Sequence, residues 1–250
     1  MKGKVFFIVT GLVLGFMLFW KLNLGLTRYF DADEFAYLHW AHNVFAGSLP
    51  YRDFLLYVPP GFLWMLSLLF FFFQGTSILT AGRVFAWVVY VGICMALGAI
   101  LVLLRGNWVS RSEIPLRGRN WGDWGIVFLP GIVLTFLPIP SDKFLEIRPD
   151  NLAMLFALIG MALQIKAFQQ PKENQGSALK SGMAYGLSLL ILPKTLPQVV
   201  VATLVAMWGN WSDRGHRRVA ERFIVGLAAP IFLFGIWSLM LGTCLKWYKT

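Results

Sequence analysis

Charged residues are scarce in this chain, and acidic residues are the scarcest. Only 14% of the 250 residues are charged, and Asp and Glu together number 12. A soluble domain carries about 25% charged residues. Hydrophobic residues instead make up 58% of the chain. The composition therefore argues against an ordinary soluble domain and predicts a polytopic membrane protein whose partner is the lipid bilayer.

Cysteines and signal-peptide features are also nearly missing. The two cysteines, Cys94 and Cys244, lie within or near the end of apolar segments, which indicates packing residues rather than a disulfide or a metal site. The first apolar run, from Val5 to about Trp20, is not followed by an Ala-x-Ala cleavage pattern. We therefore expect an uncleaved first span with the N-terminus, which carries Lys2 and Lys4, in the cytoplasm.

The net charge of +10 does not indicate nucleic acid, because the basic residues lie in short loops between apolar segments. That distribution fits the positive-inside rule, so no nucleic-acid partner is expected. The basic loops run from Arg105 to Trp121, from Lys166 to Lys180 and from Gly209 to Arg222.

The apolar segments predict an all-α fold with about seven transmembrane helices. The expected spans are Val5–Leu24, Ile78–Leu104, Trp124–Ile139, Leu152–Phe168, Met183–Leu192, Leu196–Trp208 and Phe223–Leu245. A further segment, Phe62–Phe73, follows Pro59-Pro60 and would reach only about 18 Å as a helix, against a hydrocarbon core of about 30 Å. We interpret it as an interfacial helix, since a crossing there would move the basic loops outside.

The chain is thus one module, residues 1–250, with a first outer loop at 27–77 that carries interfacial helices. The segments 183–192 and 196–208 are short, and prolines bracket their connection. A re-entrant pair is an alternative to two full spans there, and it leaves the remaining topology unchanged.

Two acidic clusters fall on the same, outer side in this topology. The first contains Asp31, Asp33 and Glu34, with Asp53 further along the loop; the second is the stretch Ser141–Asp150. Arg148 and Lys194 also reach this side. A carboxylate can act as general base, and Arg or Lys can hold a leaving phosphate, so these residues are candidates for a transferase site.

Simpler interpretations of these residues stay open. Asp31 and Glu34 have capping-box spacing before the apolar pattern 35–45, and Asp150 could cap the fourth span. Arg148 could anchor at the headgroups, and Lys194 could be an ordinary loop charge. His39 and His42 could share a helix face, but no further His or Cys supports a metal site. Trp108, Trp121, Trp124 and Trp208 have the positions of an aromatic belt.

An ordered set of motifs adds a family resemblance. Asp33-Glu34 follows the first span; then come Gly47, Pro50-Tyr51-x-Asp53, Pro59-Pro60 and Gly75-Thr-Ser-x-x-x-Ala-Gly-Arg83, with Arg148-Pro-Asp150 and Pro193-Lys-Thr195 further on. This order resembles the integral-membrane GT-C glycosyltransferases, in particular the bacterial branch similar to protein O-mannosyltransferases and the lipid A aminoarabinose transferase.

The resemblance implies hexosyl or pentosyl transfer from a polyprenyl-phosphate sugar to a lipid, glycan or protein acceptor. The reaction would occur at the outer face of the cell membrane, which the resemblance implies to be a bacterial inner membrane. It implies Asp33 as the catalytic acid of the first outer loop, with Glu34 as second choice, and Asp150 as the second acid. Lys194, Arg148 and Arg83 would contact the donor phosphate. No cofactor is implied with certainty; relatives differ in their use of a divalent metal.

Family members commonly run about twice as long, so the resemblance covers only their N-terminal module. A non-catalytic or split-enzyme subunit that needs a second membrane protein is therefore the alternative function. A transporter is less favoured, because the predicted spans hold little mid-membrane charge and the chain shows no internal repeat.

Overall fold

The computed structural model describes residues 2–111, 125–137, 143–209 and 214–240. Helices account for 83% of the structure and no strand occurs in the described part of the chain, which confirms the all-α prediction. The helices are α1 (Lys2–Thr27), α2 (Ala32–Phe45), α3 (Gly61–Ser67), α4 (Ser77–Arg111), α5 (Leu129–Phe136), α6 (Pro149–Gln169), α7 (Gln175–Ile191), α8 (Leu196–Gly209) and α9 (Arg214–Met240). Short 3-10 turns extend α3 and precede α5 and α8.

Four described helices are long and apolar enough to cross a membrane. They are α1, α4, α6 and α9, with crossing segments at Gly3–Thr27, Ser77–Arg105, Pro149–Gln169 and Gly215–Met240. The other three predicted spans correspond to shorter helices of 8, 17 and 14 residues, α5, α7 and α8. The structure thus supports a membrane protein, while the count of seven spans stays a prediction.

Two helix starts differ from the apolar pattern. Helix α7 begins at Gln175 instead of Met183, and α9 begins at Arg214 instead of Phe223. Hydropathy marks only the apolar part of a helix, whereas Gln, Lys, Arg and Glu propagate a helix well. The polar first turns of both helices were therefore missed.

Contacts between side chains and backbone fix the helix directions. Helices α1 and α4 are antiparallel, because Trp87 Nε1 donates to the Leu18 carbonyl at 2.9 Å while Arg83, nearer the start of α4, reaches Gly25 near the end of α1. Helices α4 and α6 are parallel: Gly82 lies against Ile147 before α6, and Gln169 Nε2 donates to the Leu103 carbonyl at 2.8 Å.

Helices α7 and α9 also run parallel and touch through their backbones. A Cβ atom on Gly182 would lie 2.0 Å from the Phe223 carbonyl oxygen, and one on Gly186, a turn later in α7, would lie 2.7 Å from the carbonyl oxygen of Leu227, a turn later in α9. Only glycine fits such an approach. Small residues at these positions are typical of helix packing in membranes.

These directions give the bundle two chemically different ends. The end of α1, the starts of α4 and α6 and the end of α7 meet at one end, together with α2; we call it the acidic end. The opposite end carries the starts of α1, α7 and α9 and the ends of α4 and α6. Its described cations lie in or beside those helix ends: Lys4, Arg105, Lys166, Lys172, Lys180, Arg217, Arg218 and Arg222.

The short apolar helix expected at the interface is packed beneath α2. Phe62, Leu63 and Leu66 of α3 are buried, and the Phe62 ring meets Tyr37 of α2 edge-on at 5.5 Å. With its 3-10 extension the segment covers Gly61–Phe71, about 16 Å at the α-helical rise, which is shorter than a hydrocarbon core of about 30 Å. It supports the element that carries the acids of the first loop.

Candidate functional site

Asp31 and Glu34 cap the start of α2. Asp31 is the N-cap residue, and its Oδ1 accepts a hydrogen bond from the Asp33 backbone N–H at 3.1 Å. The Asp31 N–H in turn donates to Glu34 Oε2 at 3.0 Å. The capping-box interpretation is therefore confirmed for both residues. Asp33, at the second helical position, is left pointing outward with its side chain half exposed.

Glu34 also forms a buried ion pair with Arg83, although the two lie far apart in sequence. Arg83 Nη2 and Nε lie 2.8 and 3.2 Å from the two carboxylate oxygens, and both side chains are buried. Glu34 Oε1 accepts a further bond from the Ile147 N–H at 3.1 Å. The pair therefore joins α2, α4 and the segment before α6.

The remaining donors of Arg83 are used by the last turn of α1 and the chain that follows it. Its guanidinium donates to the carbonyls of Gly25, Arg28 and Tyr29 and lies 3.8 Å from the centre of the Phe30 ring. Glu34 and Arg83 are thus saturated and sealed from solvent. This geometry favours a structural role over the catalytic and phosphate-binding roles that the resemblance implies for them.

A second buried carboxylate, Glu146, sits among three cations. Arg28 Nη2, Lys143 Nζ and Arg148 Nη1 lie 2.9, 2.8 and 3.1 Å from its oxygens, while only 2% of its side chain is exposed. Glu146 belongs to the predicted acidic stretch Ser141–Asp150, but its own position in the sequence did not predict a role for it. The only local indication of this ion-pair network was the spacing of Glu146, three residues after Lys143 and two before Arg148.

Four predicted site residues come together just outside Glu146. Arg148 Nη2 lies 3.3 Å from Asp33 Oδ2, and Arg148 Nε lies 3.8 Å from Asp150 Oδ2. Lys194 Nζ completes the group, 3.2 Å from Asp150 Oδ1. We call Asp33, Arg148, Asp150 and Lys194 the open cluster, because their side chains are 50, 27, 41 and 73% exposed.

Helix termini position the open cluster. Arg148 is the N-cap residue of α6 in extended conformation, and Pro149 takes the first helical position, where its missing N–H costs nothing. Asp150 therefore lies in the first turn, where the helix dipole favours a negative charge, and it makes no side-chain cap. Lys194 lies in the 3-10 turn between α7 and α8.

The electrostatics hold Arg148 charged and Tyr37 neutral. Burial alone lowers the pKa of the Arg148 guanidinium, but the hydrogen bond and charge of Glu146, followed by the charges of Asp150 and Asp33, raise that pKa above its usual value. Burial, with Tyr57 and the Asp33 charge adding to it, raises the pKa of the Tyr37 hydroxyl well above its usual value. Tyr37 lies one turn beyond Asp33 on α2 and was not predicted as part of the site.

The other polar candidates stay outside the open cluster. Asp53 pairs with Arg52 at 2.9 Å and accepts from the Leu49 N–H at 2.8 Å, so it closes a local turn. His42 packs edge-on against Phe70, and His39 lies 3.5 Å from the Asn43 amide. Over the described ranges no group of three or more His, Cys, Asp or Glu side chains could hold a metal ion.

The cysteine and tryptophan predictions have mixed outcomes. Cys94 is buried in the core, as expected for a packing residue. Cys244, Trp121 and Trp124 lie outside the described residues. Trp208 is 81% exposed in the last turn of α8, a position compatible with an aromatic belt.

The open cluster is a surface rather than a deep cavity. A crevice too narrow to admit a water molecule lies beneath Arg148, between α3, α4 and α6. A larger cavity of about 670 Å³ lies away from the charges, between α6 and α8, where its walls include Met161, Phe168 and Val201. The chemistry-bearing residues therefore have open access, and the larger apolar volume is separate from them.

No protein-family model, curated protein or solved structure matches this chain.

Proposed function

We propose that this protein is a glycosyltransferase with seven transmembrane spans. It moves a sugar from a polyprenyl-phosphate donor to an acceptor at the outer face of the cytoplasmic membrane. The observation that carries this proposal is the open cluster, in which an exposed carboxylate lies beside two cations at one end of an apolar helical bundle. Such a group supplies a base and an anion site within a few ångströms. The ordered motifs of the sequence point to the same chemistry.

Each residue of the open cluster has a role in this reaction. An acceptor hydroxyl oxygen attacks the anomeric carbon of the sugar, and Asp33 takes the hydroxyl proton. The bond between the anomeric carbon and the phosphate oxygen breaks, and the phosphate leaves with the electron pair. Arg148 and Lys194 stabilise the charge that grows on the leaving phosphate. Before the donor binds, Asp150 contacts both cations and keeps them in place for the phosphate.

Transfer by the purified chain in liposomes tests this assignment. With a radiolabelled polyprenyl-phosphate sugar, Asp33→Asn should lower transfer about 10²- to 10⁴-fold, the usual contribution of a general base. Asp53→Asn is the matched control, because Asp53 is an acid of the same predicted outer loop whose described contacts are the ion pair with Arg52 and the hydrogen bond from the Leu49 N–H. Equal transfer by wild type and Asp33→Asn would remove Asp33 from the mechanism.

The sidedness of the membrane has its own test. The proposed topology puts the acidic end outside, so single cysteines at positions 33 and 150 should react with an impermeant maleimide applied to intact cells. A cysteine at position 117 should react only after the cells are opened. Labelling of 33 and 150 from opposite sides would contradict a shared outer site.

A non-catalytic membrane subunit is the second candidate. The observation that favours it is that each acid of the open cluster already contacts a cation, as in a purely structural network. This candidate predicts that Asp33→Asn changes neither the amount of a complex with a second membrane protein nor the function of that complex.

A further inference from the structure

Arg148 has three different carboxylate partners, and they are not equivalent. Nη1 binds Glu146 at 3.1 Å, Nη2 binds Asp33 at 3.3 Å, and Nε lies 3.8 Å from Asp150. Glu146 is buried, whereas Asp33 and Asp150 are about half exposed. Removing the partner of a buried charge costs much free energy, because that charge stays buried and unpaired. An exposed carboxylate that loses its partner is hydrated by water instead, so its release costs little. The inner contact is therefore fixed, and the two outer contacts are exchangeable.

Asp150 bridges the two exposed cations. Its Oδ1 faces Lys194 and its Oδ2 faces Arg148. A phosphodiester presents two charged oxygens, as a carboxylate does, and phosphate groups bind guanidinium groups with two parallel bonds. It can therefore replace the outer carboxylates on Arg148 and Lys194 together. The start of α6, which has no side-chain cap, lies beside the same position and favours a negative charge there.

We propose that Arg148 is an exchange switch: an isoprenyl phosphate displaces Asp33 and Asp150 from its outer nitrogens, while Glu146 keeps hold of Nη1. Before the donor binds, Asp33 is ion-paired with Arg148 and is not free to contact an acceptor hydroxyl. After the exchange, Asp33 is a free carboxylate beside the bound donor. The base is thus released only when the leaving group is in place. The donor class rests on the proposed function, but the exchange itself is a binding event that needs no transfer.

Infrared difference spectra of the full chain in nanodiscs test the exchange directly. The probe is farnesyl phosphate, and farnesol, which has the same tail without the phosphate, is the control ligand. In a sample labelled with ¹³C at the aspartate carboxyls, farnesyl phosphate should shift carboxylate bands that disappear in Asp33→Asn and Asp150→Asn. In a sample labelled at the glutamate carboxyls, the Glu146 band should not move. Farnesol should change neither sample.

Binding affinity gives an independent arm, measured by the shift in the thermal unfolding midpoint. Lys194→Gln removes one of the two phosphate contacts but leaves Asp33 on Arg148, so farnesyl phosphate should bind on the order of tenfold more weakly. Arg52→Gln is the control, because Arg52 pairs only with its neighbour Asp53 among the contacts described for it.

The outcomes separate this proposal from the proposed function. Binding of farnesyl phosphate without a shift in the Asp33 band would overturn the exchange and leave the transferase proposal standing. An absence of binding would also overturn it, and the transfer assay would then decide the transferase proposal alone. The expected band shifts in a chain whose transfer is unaffected by Asp33→Asn would support the exchange and refute the proposed base.

Discussion

Asp33 and Glu34 are adjacent on α2, but they differ greatly in solvent exposure and in their contacts. Glu34 is buried, bound by Arg83 and by two backbone N–H groups, and inaccessible to any substrate. Asp33, one residue earlier, is half exposed and contacts Arg148 at the longer distance of 3.3 Å. Both make an ion pair with an arginine, yet only one is available for chemistry. Access to solvent, rather than the ion pair itself, separates a structural carboxylate from a candidate catalytic one.

The largest expected effect follows from breaking the buried pair. Arg83→Met leaves Glu34 buried without its cation and removes the donors to three carbonyl groups, so it should lower the free energy of unfolding by about 3–5 kcal/mol. Thermal unfolding of the detergent-solubilised chain measures this. The double variant Glu34→Leu/Arg83→Met removes the orphaned charge and should recover part of the loss. A double variant less stable than Arg83→Met would contradict this account.

A smaller effect is expected at the N-cap of α2. Asp31→Ala removes the acceptor for the Asp33 N–H and should cost about 1 kcal/mol, the usual value for a lost N-cap. Asp31→Asn retains a capping oxygen and is the matched variant, with a cost near zero. Equal losses in both variants would show that the charge of Asp31, and not its hydrogen bond, stabilises the helix start.

The smallest effect is expected within the open cluster. The Lys194–Asp150 pair is exposed, so a double-mutant cycle with Lys194→Gln and Asp150→Asn should give a coupling to stability of about 1 kcal/mol or less. High salt should weaken the coupling further, because exposed charges are screened. A coupling as large as that of a buried pair would mean that the open cluster is structural.

Local patterns predicted some parts of the site well. The Asp31-x-x-Glu34 spacing predicted the capping box. The lengths of the apolar runs in α1 and α4 predicted two of the long helices. The predicted order and direction of the spans placed Asp33, Asp150 and Lys194 at the same end of the helical bundle, and the structure also places them together. These features depend on periodicity, length and charge, all of which are local in sequence.

Ion pairs between residues far apart in the chain could not be predicted from the sequence. Arg83 contacts Glu34 from another helix, so no rule based on sequence spacing predicts the pair. The family resemblance instead implied a catalytic role for Glu34 and a phosphate-binding role for Arg83. Glu146 was missed because burial, not sequence context, makes its three cations converge. The beginning of α7 at Gln175 was missed for a different reason: polar residues that favour a helix carry no hydropathy signal.

The most direct test of the central contrast compares the same chemical change at adjacent residues. Glu34→Gln and Asp33→Asn each replace a carboxylate by an amide, and thermal unfolding of both purified variants is measured beside the wild-type chain. The account predicts a large loss of stability, several kcal/mol, for Glu34→Gln and a change of about 1 kcal/mol or less for Asp33→Asn. Equal losses in the two variants, or a larger loss for Asp33→Asn, would contradict it.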